Sequence, residues 1–146
     1  MTDGHPVLDQ INLVVADMDA TLAFYRRLGL DVTLAPGDAH AEVTMPNGMT
    51  LEFDTHESVR VWDSAWNGST AGGAAVIGFS VATRERVDGL YAELVAEGSG
   101  GHQRPFDAFW GSRYAIVEDP DGNCVGLMSP RDPDRRSWPP TPPPST

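Results

Sequence analysis

Gln10, His40, Glu42 and Glu52, in the amino-terminal half, are residues whose types can hold a cation or move a proton. His40 and Glu42 stand two apart, which on a strand turns both side chains to one face. An imidazole grouped with carboxylates and an amide oxygen suits a divalent ion. Isolated histidine and carboxylate pairs are often plain solvated surface, so the reading turns on what positions them. His5, His56 and His102 lie in terminal, connector or loop-edge sequence and read as surface histidines. Cys124 is the single cysteine, so no intrachain disulfide forms, and it reads as a small strand residue rather than a nucleophile.

An internal repeat supplies the positioning elements. The apolar alternation of INLVVAD, starting at Ile11, returns as IGFSVAT, starting at Ile77, and the register continues so that Tyr25 matches Tyr91 and Leu28 matches Leu94. PNGMTLEF, starting at Pro46, matches PDGNCVGL, starting at Pro120. Each copy reads as strand, helix, then three strands. In the first copy the strands are expected at 7–15, 31–34, 40–44 and 49–53, with a helix over 19–27 capped by Asp17 or Asp19 and closed by Gly29. In the second they are expected at 76–81, 102–106, 113–117 and 123–128, with a helix over 83–97 closed by Gly98.

Module one therefore spans 7–54, a connector 55–73 and module two 74–129, making one domain over 1–129. Trp62 and Trp66 in the connector are one helical turn apart and suit the anchor of a short helix first and a ligand platform second. Residues 130–146, PRDPDRRSWPPTPPPST, are too rich in proline for regular structure and read as extended or disordered chain.

Alternation sorts the strands into two faces. Ile11, Leu13, Val15, Leu51, Phe53, Ile77, Phe79, Val81, Val125 and Leu127 are apolar and belong against the helices. The opposite face carries Gln10, Asn12, Thr50, Glu52, Val76, Gly78, Ser80, Cys124, Gly126 and Met128. Small and polar residues leave a concavity suited to a small molecule, and glycine at 78 and 126 suits close approach of a ligand better than a solvated face. Phe106, Phe109, Trp110 and Tyr114 add aromatic surface near its rim. The expected ligand-contacting set is Gln10, Asn12, His40, Glu42, Thr50, Glu52, Val76, Gly78, Phe109, Trp110, Tyr114, Gly126 and Met128.

Bulk properties exclude several classes. The chain has 146 residues and a formal charge of −11, and its ten basic residues, all arginine, are scattered, which argues against nucleic acid as a partner. Acidity favours neutral or cationic ligands. No segment approaches a membrane span and no signal-like start is visible, so a cytoplasmic protein is expected.

The stretches INLVVADMDATLAFYRRLGL, VIGFSVATRERVDGLYAEL and WGSRYAIVEDPDGN, within the repeat, resemble the vicinal oxygen chelate superfamily. That superfamily includes glyoxalase I, extradiol dioxygenases, fosfomycin-resistance enzymes and bleomycin-resistance proteins. The resemblance covers most of residues 7–129 and implies an α+β fold of two tandem βαβββ modules whose mostly antiparallel sheet forms a cup. It also implies a homodimer, and, in the metal-using members, a ligand on the first and last strand of each module. Carried here, those four positions are Gln10, Glu52, Val76 and Gly126, of which only the first two can coordinate. No tightly bound metal is therefore expected. A divalent ion on Gln10 and Glu52, with His40, stands as the alternative.

Two functions follow as expectations. The first is binding of an aromatic or amphipathic small molecule, as the bleomycin-resistance branch suggests. The second is a metal-assisted lyase or isomerase of the glyoxalase type with Glu52 as general base. In the first reading Gly126 exchanges half of a metal site for ligand room.

Overall fold

The computed structural model describes residues 4–139 and residue 143. The elements run β1 (Gln10–Val15), α1 (Met18–Arg27), β2 (His40–Thr44), β3 (Thr50–Thr55), α2 (His56–Trp62), β4 (Val76–Ser80), α3 (Arg84–Ala96), β5 (Gly101–Asp107), β6 (Arg113–Glu118) and β7 (Cys124–Met128). The fold is α+β, with a three-stranded and a four-stranded mixed sheet, and it divides between Thr70 and Ala71 into two compact units.

In the first unit the strand order is β1-β3-β2, with β1 parallel and β2 antiparallel to the central β3. The parallel pair needs a crossover, and α1 supplies it. Asp17 is the cap: its carboxylate accepts from the Ala20 amide at 3.0 Å. Arg26 and Arg27 in the last turn complement the carbonyl end. The helix packs Leu22, Phe24 and Tyr25 onto the apolar sheet face, where the Tyr25 and Phe53 rings lie 5.2 Å apart. The connector, in contrast to a plain linker, contributes α2, capped by Thr55 and held down by fully buried Val59. Trp66 lies beyond that helix and packs on the His56 ring at 4.8 Å, with the Arg60 guanidinium 5.2 Å from its ring centre. His56 is thus part of the α2 packing rather than a plain surface histidine.

The second unit has strand order β4-β7-β6-β5, again with the first and last strands parallel. Thr83 caps α3 through the Arg86 amide, and Val87, Leu90 and Leu94 bury against the sheet. The turn before β7 is built by Asp119, whose side chain accepts from the amides of Asp121 and Asn123 and from the Asn123 side chain, with Gly122 at φ 83°. Arg113 faces α3 and donates to Asp88 at 2.9 Å.

Three expectations differ from the structure. Residues 31–34 form no strand: the Val32 carbonyl accepts from the Arg26 side chain at 2.8 Å instead of joining a ladder, and Val32 itself is buried. Ile11 is not core but 37% exposed, because β1 is an edge strand and α1 begins at its far end, beside buried Val15. The start of the proline-rich segment is not free chain. Pro133–Arg135 makes a single 3-10 turn, Asp132 and Ser137 donate to the Gly111 and Phe109 carbonyls, and the Trp138 ring packs on Phe109 at 6.3 Å. The rest of that segment's expected disorder lies outside the described residues.

Candidate functional site

Residues paired across a ladder share a face, so the register places three rows on one side of the first unit's sheet. They are Gln10, Thr50 and Thr44; Asn12, Glu52 and Glu42; and Val14, Asp54 and His40. The other side is the apolar face under α1. Beside the polar rows, α2 brings Ser58 from its first turn and Trp62 from its last to the cleft. Gln10, Asn12, His40, Glu52, Asp54, Ser58 and Trp62 line a cleft of ≈ 350 Å³.

Asp54 organises its floor. It is 1% exposed, and its carboxylate accepts from the Asn12 amide at 2.7 Å and from the Ser58 hydroxyl, while one oxygen lies 3.0 Å from His40 Nδ1. Burial pushes the Asp54 carboxyl up, but the hydrogen bonds from Ser58, Asn12 and His40 outweigh it and hold the group below its ordinary 3.8. His40 is raised above 6.5, first by its hydrogen bond to Asp54, against desolvation, with the charges of Asp54, Glu52 and Glu42 adding to the shift. With Nδ1 held by Asp54, Nε2 faces Glu52 at 3.6 Å and Glu42 at 3.8 Å.

The two shifts have opposite signs in pH. The contribution of His40 is complete below its unfolded value of 6.5 and fades as pH rises through the higher folded value. That of Asp54 is complete above 3.8 and is lost as pH falls through the lower folded value. The stability difference between the wild type and His40→Gln, measured by urea denaturation with chelator present, is therefore expected to be greatest between these two values and to shrink as pH rises beyond 6.5 through the raised folded value.

The structure brings Gln10, Asn12, His40 and Glu52 together and sets Glu42 and Thr50 beside them on the same face. The other expected contacts lie in the second unit. Val76 is 51% exposed and the space above Gly78 is open. Phe106, Phe109, Trp110 and Tyr114 meet edge-on, with ring centres 5.3 to 6.2 Å apart, as a packed aromatic cluster. Met128 pairs with Tyr114 across the ladder.

Gly126 does not make ligand room. A Cβ there would stand 2.7 Å from the Tyr114 hydroxyl and 3.2 Å from Val76 Cγ1, so the missing side chain is replaced by tyrosine packing. The ring cannot swing aside freely because Phe106 and Trp110 hold its edges. Burial also raises the Tyr114 phenol above 10.0. Gly126→Ala should cost about 1–3 kcal/mol by overpacking. Adding Tyr114→Phe, which removes the nearest atom, should recover part of that in denaturant melts.

The four family-derived metal positions do not fit a metal as a set, since Val76 has no donor and a ligand at 126 would collide with Tyr114. Within the first unit, His40, Glu42 and Glu52 offer ligand atoms all within 4.8 Å of one another. Asp54 and Ser58 escaped the sequence reading, and Trp62, read first as an anchor with a ligand platform as the alternative, lines the cleft. For Asp54 a signal existed, since it continues the alternation of Thr50 and Glu52. Ser58 and Trp62 depend on how α2 lies over the sheet.

The sequence profile of the Glyoxalase/Bleomycin resistance protein/Dioxygenase superfamily matches residues 7–127. Among solved structures, the chain is similar to a glyoxalase-related enzyme from Fulvimarina pelagi, at 21% identity and TM-score 0.73, over 85% of this chain and 88% of that one. It is similar to a glyoxalase/bleomycin resistance protein/dioxygenase family enzyme from Burkholderia phytofirmans PsJN, at 23% identity and TM-score 0.72, over 84% and 97%. A glyoxalase/bleomycin resistance protein/dioxygenase from Nocardioides shares 21% identity at TM-score 0.69, over 90% and 88%. At these identities the likeness concerns the fold. No curated protein matches the chain. No helix among the described residues is long and apolar enough to cross a membrane.

Proposed function

The chain belongs to the Glyoxalase/Bleomycin resistance protein/Dioxygenase superfamily, and from that premise we propose that it binds an amphipathic small molecule carrying a cationic or hydrogen-bond-donating group in the cleft of module one. The observation that carries this reading is Glu52. It is 9% exposed, it lines the cleft, and it accepts no hydrogen bond from any described residue. A carboxylate largely removed from water, with the His40 ring 3.6 Å away but no hydrogen bond to it, gains from a donor on a ligand. Trp62, 56% exposed on the same cleft, offers an aromatic wall for the apolar part of the ligand and for a cation above its face. Gln10 and Asn12 supply amide groups that would set the ligand's orientation.

Benzylamine and benzyl alcohol make a matched pair of probes, alike in ring and different in charge. Benzylamine is expected to quench tryptophan fluorescence saturably, benzyl alcohol at least tenfold more weakly, and Trp62→Ala should remove most of the quenching. Equal binding of the two probes, or quenching untouched in Trp62→Ala, would contradict the reading.

A second reading rests on a different feature, the Asp54–His40–Glu52 sequence of groups. Glu52 would take a proton from a carbon acid, and His40, held by Asp54, would stabilise or relay it. Turnover of a glutathione hemithioacetal, restored by a divalent metal, would place this lyase or isomerase function ahead of binding alone.

A further inference from the structure

We propose that His40, Glu42 and Glu52 form a divalent-cation site lying wholly within module one, with Asp54 as the residue that positions the histidine. Only Glu52 of these belongs to the four positions taken from the family pattern; the others come from β2 and from the carbonyl-side end of β3.

The first support is the spacing. His40 Nε2 stands 3.6 Å from Glu52 and 3.8 Å from Glu42. A protonated imidazole bonded to a carboxylate closes to about 2.7–2.9 Å, so neither contact is a formed hydrogen bond. Two donors on one tetrahedral ion at bond lengths of about 2.0–2.2 Å are about 3.3–3.6 Å apart. The three ligand atoms, all within 4.8 Å of one another, need only side-chain adjustments to meet one ion.

The second support is electrostatic. Glu42 and Glu52 are direct partners across the antiparallel ladder, an arrangement in which like charges repel. The Glu52 side chain is 11% exposed, lines the cleft, and has the His40 ring at 3.6 Å as its charged neighbour without a formed hydrogen bond. A cation between the carboxylates removes both penalties. Asp54 provides the third support. It holds His40 Nδ1 at 3.0 Å, so in the neutral ring the proton sits on Nδ1 and the lone pair on Nε2 points at the two glutamates. Metal-binding histidines commonly have their other nitrogen fixed in this way. One imidazole and two carboxylates suit a first-row transition ion better than calcium or magnesium. Three protein ligands leave positions open for water.

The test is calorimetric titration of the chelator-stripped full-length protein with Zn2+ or Mn2+, in a buffer that does not bind metal. One ion per chain is expected. His40→Ala and Glu42→Gln should each weaken binding at least tenfold, and Asp54→Asn by ~10- to 100-fold with unchanged stoichiometry, as for other positioning partners of metal ligands. Glu42 is the safest variant, because its side chain is 61% exposed and its loss should leave the fold intact. Absence of saturable binding, or binding that survives both His40→Ala and Glu42→Gln, overturns the proposal. Benzylamine titration of the same stripped protein separates this proposal from the small-molecule reading. Amine binding without zinc binding refutes the metal site alone, and zinc binding without amine binding refutes the ligand reading alone.

Discussion

Asp54→Ala is expected to destabilise the protein by about 2–4 kcal/mol, the largest loss of any polar substitution in the first unit. Asp54 is almost fully buried, and its carboxylate is the common acceptor for Asn12, Ser58 and His40. Alanine removes the acceptor of all three donors at once and leaves the Asn12 amide and the Ser58 hydroxyl short of partners in a half-buried setting. Each hydrogen bond to a charged group is worth roughly 1.5–3 kcal/mol, and the sum is reduced by water entering the cleft. Thr55, the next residue, caps α2, so the helix carrying Trp62 should loosen as well. Urea denaturation measures the cost, and hydrogen exchange at Val59 reports α2. A loss below 0.5 kcal/mol would mean that Asp54 does not organise the floor.

Glu52→Gln is expected to move binding and stability in opposite directions. The substitution keeps the shape of the side chain and removes a charge that lacks donors and faces Glu42 directly across the ladder. Stability should therefore hold or rise, as happens when a buried group kept for binding is neutralised. Benzylamine affinity should fall by roughly tenfold to a hundredfold, the equivalent of one charge-assisted hydrogen bond. A thermal melt and a fluorescence titration on the same sample check both halves. A residue that merely supported the fold would lose stability and binding together.

The fold was largely legible because repeat, caps and turns are local signals. Thr83 and Gly98 bound α3 where the sequence places them, and Pro46, Asn47 and Gly48 make the turn before β3, with Gly48 at φ 91° and Asn47 accepting from the Met49 amide at 3.0 Å. The misread segments depend on partners distant in sequence. Residues 31–34 have strand-like composition, yet a side chain from α1 takes the Val32 carbonyl. Ile11 has the correct parity for the core but sits on an uncovered edge.

The site was legible to the extent that parity decides it. Gln10, Asn12, His40, Glu42 and Glu52 share a face because strand alternation and ladder register leave no other arrangement. Gly126 shows the limit of that method. The repeat aligns it with Glu52 of module one, but only the three-dimensional packing reveals that Tyr114 fills its space. Trp62 shows the same limit from the other side, since its place over the cleft depends on the path of α2.

The claim that binding resides in module one is tested most directly by amide and indole NMR spectra of the protein during benzylamine addition. Saturable shifts are predicted at Gln10, Asn12, His40, Glu52, Asp54, Ser58 and the Trp62 indole, and they should vanish in Glu52→Gln. Shifts centred on Val76, Trp110, Tyr114 and Gly126, with the module-one signals unmoved, would contradict it.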